Sequence, residues 1–181
     1  PASVLLATVE QYLHRFEPAV RRLEVVVQRD PSQAQAWLTL ASLQRVLGRL
    51  DASDRACAAL ASLGVQPYGE ACRAENLGLR GRFDEAREAL DQLLRRHPSA
   101  QHQAWLATTL AELEQRAGRP EAAEAAWRRS LAAERGGYAL VGYADHLLDL
   151  GRAQEAWTLL DDAGDADGPL PRRAIAAQRL G

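Results

Sequence analysis

The 181-residue chain sets 22 basic residues against 24 acidic ones, a formal charge of −2 that excludes the basic excess expected of a nucleic-acid surface. Hydrophobic residues make up 47% but aromatic residues only 6%, so Leu and Ala must do the packing, which suits close helix–helix contact better than a β-sandwich. No apolar run approaches the ~20 residues that span a bilayer. Every basic residue is Arg, which removes lysine chemistry such as a Schiff base. With no Met and Pro1 at its start, the sequence is expected to be a processed or trimmed product, with a leader or a further domain left open.

The first predicted helix pair turns at His14-Arg15, and its second helix, through Val20, Leu23, Val26 and Val27, ends at Asp30-Pro31. Residues 36–47 then carry Trp37, Leu40, Ala41, Leu43 and Leu47 at three- and four-residue spacings, which predicts an amphipathic helix. Gly48 ends it in a left-handed conformation, and a partner helix is expected from Asp51 as N-cap. The third pair covers 70–80 and 84–96 around Gly81, with Phe83, Ala86, Leu90, Leu93 and Leu94 on one face, and closes at His97-Pro98. A fourth covers 103–117 and 121–133 around Gly118, with Ala123, Trp127 and Leu131 inward. The fifth covers 138–150 and 153–160 around Gly151. An acidic loop leads to a last helix over 171–180, read as the start of a sixth unit because Ala174 stands seven residues before Gly181.

Four times an Ala is followed by Gly-Arg seven residues on and by a second small residue five after the Gly. The instances are Ala41…Gly48…Ser53, Ala74…Gly81…Ala86, Ala111…Gly118…Ala123 and Ala144…Gly151…Ala156. Ala7 and Ala19 keep the same offsets about His14. Gly-to-Gly intervals of 33, 37 and 33 residues predict an array of stacked units. The small residues fall where the two helices of a unit cross, because a lone Cβ lets the axes approach. No unit buries its own face, so stability must come from stacking.

These residues resemble the tetratricopeptide repeat, a unit of about 34 residues. The second unit supplies Trp37, Leu40, Ala41, Gly48 and Leu50, and the third Ala74, Leu77, Gly81, Phe83, Ala86, Leu90 and Pro98. The fourth supplies Leu110, Ala111, Gly118, Ala123 and Trp127, and the fifth Tyr143, Ala144, Leu147, Gly151, Ala156 and Leu160. The chain departs from the pattern at Arg73, a usual Leu, and at Ser53 and Cys57, usually Ala and an aromatic; the 37-residue interval adds residues near 97–102. More loosely, it is similar to exported bacterial repeat proteins of unassigned function. The resemblance implies an all-α, right-handed superhelical solenoid of antiparallel helix pairs, one domain over 1–181. Its units would fall at about 1–31, 32–64, 65–98, 99–135 and 136–168, with a terminal helix at 169–181.

In this family the residue after the marker Ala points into a concave groove, which here selects Glu75, Glu112 and Asp145. Six residues before the Ala stand Tyr68, Trp105 and Tyr138, and Arg116 and Asp149 complete the candidate groove set. An acidic row beside an aromatic row suits a peptide with Arg or Lys and apolar side chains. The competing reading is a solvated helix face with ordinary packing aromatics. The clamp by which chaperone-binding relatives grip a C-terminal carboxylate is missing, because it uses Lys and Asn and this chain has only Asn76. The implied function is a scaffold or adaptor for a protein or peptide partner, without catalysis, cofactor, nucleic acid or membrane span. The alternatives are a regulatory or localising repeat domain of a larger protein and, less favoured, a helical-repeat RNA binder.

Cys57 and Cys72 fall on adjoining helices of such a stack. They are either disulfide-bonded or two buried thiols; the disulfide is the favoured reading and places the protein in the periplasm or outside the cell, with the cytoplasm as the alternative. Asp165-x-Asp167-Gly168 matches part of a calcium loop, but Ala163 and Ala174 occupy its first and twelfth ligand positions, so an acidic linker without metal is expected. His14, His97, His102 and His146 share no metal-binding spacing and are expected at the surface or in turns. The chain contains neither a G-x-S-x-G elbow nor a Gly-rich phosphate loop.

Overall fold

A computed structural model describes residues 2–161 and 168–180. Among the described residues it contains α-helices and no strands. They are α1 (Ala2–Tyr12), α2 (Phe16–Arg29), α3 (Ala34–Val46), α4 (Leu50–Ser62), α5 (Tyr68–Leu79), α6 (Phe83–Arg96), α7 (Ala100–Arg116), α8 (Pro120–Ala133), α9 (Gly137–Asp149), α10 (Ala153–Asp161) and α11 (Pro169–Leu180). The acidic linker expected through Ala163, Asp165 and Asp167 lies outside the described residues. No described helix is long and apolar enough to cross a membrane.

One backbone device joins the two helices of each pair. At the α3–α4 turn Gly48 has φ 72° and donates its N–H to Arg45 O at 2.9 Å. The Arg49 N–H then reaches back to Gln44 O at 2.8 Å, and the Arg49 carbonyl accepts from Ser53 N at 3.0 Å. Arg49 thus closes one helix with its donor and opens the next with its acceptor, which satisfies orphan groups at both ends. Arg82, Arg119 and Arg152 repeat the pair of bonds, with Leu77 O and Ala86 N, Glu114 O and Ala123 N, and Leu147 O and Ala156 N. In the first pair Arg15 does the same with Glu10 O and Ala19 N, and the left-handed position is filled by His14 at φ 55°.

Most boundaries differ from the sequence reading by one to three residues, and two of the shifts have a local cause. α4 starts at Leu50, because Arg49 takes the N-cap through its backbone, and Asp51 sits in the first turn instead. The extra residues of the 37-residue interval lengthen α7, which begins at Ala100 behind a Ser99 N-cap and runs 17 residues. Gln103 on that added turn donates to Leu94 O at 2.6 Å and His97 O at 2.7 Å, covering carbonyls that α6 leaves exposed at its end.

The chain divides into two compact units, Pro1–Ala89 and Leu90–Gly181. In the first, consecutive helices from α1 to α5 pack in order, and α1 also touches α3, as α3 touches α5. The second repeats the scheme from α7 to α11, with α7 against α9 and α9 against α11. All ten small residues of the repeat pattern, Ala7 and Ala19 through Ala144 and Ala156, are buried where helices cross. Ala174 is exposed while Ala176, two residues on, is buried against α9 and α10, so α11 enters the core by a different position from the one its offset suggested.

Larger side chains fill the layers between pairs. Leu23, Leu40, Leu43 and the Cys57–Cys72 disulfide, with Cα atoms 5.7 Å apart, build the first unit's core. Trp127 anchors the second, wholly buried under Gly142 of α9, where a Cβ would lie 2.5 Å from the indole. α8 and α9 pack that closely because position 142 has no side chain.

Candidate functional site

On α5 of the first unit, Tyr68 and Glu75 are seven residues apart and share a face, since seven steps of about 100° return almost to the start. Both are half-buried. Glu75 is ion-paired to Arg45 of α3, so its carboxylate ties two successive first helices together. Asn76, beside it, points the other way and is fully buried. Its amide donates to Ser53 Oγ at 3.0 Å and to Asp54 Oδ1 at 2.8 Å, and Ser53 Oγ is 2.9 Å from Ala41 O. Ser53 stands where a plain Ala would leave that amide short of a partner, which gives the departure from the repeat pattern a physical reason.

In the second unit α7 carries Trp105, Glu112 and Arg116 and α9 carries Tyr138, Asp145 and Asp149, each set on one helix face by the same seven- and four-residue steps. Trp105, Glu112 and Asp145 are half-buried; Arg116, Asp149 and Tyr138 are exposed, Tyr138 to 72%. The Tyr138 hydroxyl donates to Glu112 Oε1 at 2.6 Å, a rung from α9 to α7. Asp145 receives both Nε and Nη2 of Arg172 at 3.0 Å each, a rung from α9 to α11. Hydrogen bonding to Asp145 raises the Arg172 pKa above its ordinary value.

A further polar cluster in this unit joins α8 to α9 and α10. Glu124 accepts from Arg152 Nη1 at 2.6 Å, from Arg128 Nη2 at 2.6 Å and from the Tyr143 hydroxyl at 2.8 Å. The Arg152 bond, aided by Tyr143 and working against burial, brings the Glu124 carboxyl down to about 2 from an ordinary 4.5. His146 is buried one turn along α9, its ring stacked on Tyr143 at 6.5 Å. The expectation of four histidines at the surface or in turns therefore fails at His146, which lies on the inward face of α9. His14 is in its turn, and His97 and His102 meet edge to face at 5.6 Å between α6 and α7.

Each acid of the candidate row is thus engaged by a residue one repeat away, Arg45 for Glu75, Tyr138 for Glu112 and Arg172 for Asp145. Sequence reasoning found the acids and missed the two arginines. A donor about 26 to 30 residues from each acid was the available signal. Among the described residues no cluster of His, Cys, Asp and Glu suits a metal ion.

A family model described as tetratricopeptide repeat matches residues 4–62, 73–115 and 108–171. No curated protein matches the chain significantly. Among solved structures it is similar to a thermophilic TPR protein of Thermus thermophilus, with 21% identity, a TM-score of 0.77, and coverage of 99% of this chain and 97% of that one. A tetratricopeptide repeat protein of Parabacteroides merdae gives 16% identity and a TM-score of 0.76 over 94% of this chain and 68% of that one. The pilF protein of Pseudomonas aeruginosa gives 16% identity and 0.65 over 99% and 89%. At these identities the likeness carries the fold.

Proposed function

The chain belongs to the tetratricopeptide repeat family, whose repeats generally mediate protein–protein interaction, and from that premise we propose that its first-helix faces receive a peptide segment of a partner protein. The observation that carries this reading is the Tyr138–Glu112 pair. It holds an exposed aromatic ring and a half-buried carboxylate side by side on adjacent first helices. An aromatic of that exposure offers apolar contact and a cation–π face, and the carboxylate keeps lone pairs beyond the one Tyr138 uses. The fitting segment carries Arg or Lys beside apolar residues, with Asp145 and Asp149 of the same unit as further acceptors. The protein acts as scaffold or adaptor, by binding rather than by catalysis. The same faces would serve it as a regulatory or localising domain of a larger protein.

Anisotropy of a fluorescein-labelled Leu-Arg-Phe-Lys-Leu peptide tests this. Binding is expected to weaken about tenfold in Tyr138→Ala and in Glu112→Gln. Affinity unchanged in both variants would sink the reading. We also propose an oxidising compartment, periplasmic or extracellular, on the strength of the Cys57–Cys72 bond. Detection of both thiols in free form in protein alkylated inside intact cells would overturn that assignment in favour of the cytoplasm.

A further inference from the structure

Arg73 is the residue that replaces a usual Leu of the repeat, and it lines a cavity of about 450 Å³ between α4 and α5. Glu75, two residues on, is about 200° away around α5, so this cavity opens on the other side of that helix from the first-helix row. Its walls also hold Arg55, Ala58, Leu77, Arg80 and Arg82. Two of the four guanidiniums are already committed. Arg80 is held at 2.8 Å by both Asp51 and Asp54, and Arg82 binds Glu85 through Nε at 2.7 Å and Nη2 at 2.5 Å. Arg55 and Arg73 are exposed and, among the described residues, have no carboxylate or carbonyl partner.

Ala58 and Leu77 form its apolar part, and Asp54 stands among the four arginines. Arg55 also borders a second hollow of about 340 Å³, whose wall holds Glu24 and Gln44 as well as Val27, Trp37, Leu40 and Ala52. One cation therefore stands on a ridge between two partly apolar hollows, and a second stands across one of them.

We infer that this α4–α5 surface is a second docking site, which takes an acidic, apolar-containing peptide segment of a partner protein. Carboxylates of the segment pair with Arg55 and Arg73, bidentate where the guanidinium fork allows. An aliphatic or aromatic side chain between them rests on Leu77 and Ala58. Charge complementarity selects that occupant over a polyanion. A segment with single, spaced carboxylates can set them on Arg55 and Arg73 and keep clear of Asp54 and Asp51, which a phosphate-dense ligand would meet along its length. The site stands independently of the first-helix reading and calls for a partner segment of opposite charge.

Anisotropy of a labelled Asp-Leu-Glu-Phe-Asp peptide with the full oxidised chain is the test. Saturable binding is expected, weakened about tenfold by Arg55→Gln and by Arg73→Gln. Arg29→Gln, which removes an exposed cation outside the cavity, and Glu112→Gln, on the first-helix face, should leave it unchanged. The amide peptide Asn-Leu-Gln-Phe-Asn should lose the affinity. The inference is overturned by absence of binding up to about 1 mM, by equal affinity for the amide peptide, by no loss in the Arg55 and Arg73 variants, or by an equal loss in Arg29→Gln.

Discussion

His14 occupies a position that Gly fills in the other four helix pairs, and its φ of 55° is one that L-residues adopt at a cost of about 1–2 kcal/mol. Part of that cost is offset in comparison with Gly, which loses more backbone freedom on folding. His14 also makes an edge-to-face contact with Phe16 at 5.7 Å that Gly would forfeit. His14→Gly is therefore expected to gain only about 0.5 kcal/mol, whereas Gly48→Ala, with no clash but the wrong φ, loses about 1 kcal/mol. Urea denaturation of the two variants checks the opposite signs. Gly142 poses a different problem, since its φ is ordinary and its space is not. Ala at 142 would gain up to about 1 kcal/mol of helix propensity, yet its Cβ would sit 2.5 Å from the Trp127 ring. Trp127 is fully buried and its indole N–H bonds Gln115 at 3.2 Å, so it has nowhere to swing. Overpacking wins, and Gly142→Ala should lose about 1–2 kcal/mol and shift the tryptophan emission.

Between elements, the bonds that matter are those that tie one pair to the next, and Glu124 is the most constrained of them. Its carboxyl is held at about 2 in the folded chain against 4.5 when free. A depressed carboxylate contributes its full stabilisation above the free value and loses it as pH falls toward the folded one. The contribution is accordingly intact at pH 7 and declines from about pH 5 down to pH 2. Glu124→Gln should destabilise the protein at pH 7 by about 1–2 kcal/mol, the scale of a charge-assisted hydrogen bond. The gap between variant and parent should shrink when both are denatured at pH 3; a gap that stays constant or widens would show that Glu124 is not held low. None of this was visible in the sequence, where nothing sets Glu124 apart from Glu121 on the same predicted helix. Repeat offsets and small residues read directly, because steric need at a helix crossing is local and periodic. Arg45 and Arg172, the partners of Glu75 and Asp145, did not read, because a cross-helix ion pair depends on how far a long side chain leans, and periodicity does not encode that. Arg73 lay between these cases. It was legible as a departure from pattern, but the cavity it lines also takes Arg55 and Ala58 from the neighbouring helix, and which residues of two helices face one hollow is a matter of packing.

For the whole molecule, stability in a stacked repeat is a sum over units and their neighbours, so a perturbation should weaken the chain where it falls before it weakens the rest. The two compact units give a direct way to see this, because each carries one strong, separable constraint. The Cys57–Cys72 bond closes a loop across α4 and α5 with a sequence separation of 15, worth about 3 kcal/mol. The Glu124 cluster belongs to α8, α9 and α10. Hydrogen exchange followed by mass spectrometry resolves them. On reduction with dithiothreitol, amides of α3, α4 and α5 should exchange up to about 100-fold faster, the rate equivalent of about 3 kcal/mol, while those of α8 and α9 keep most of their protection. Glu124→Gln should do the reverse, loosening α8 and α9 and sparing α4. α6 is the one helix that both units share, with Ala89 and Leu90 at its middle, so its amides should respond weakly to both treatments. A uniform loss of protection along the chain in either experiment would mean that the repeats unfold as one cooperative body, and the sum over units would have to be abandoned for this protein.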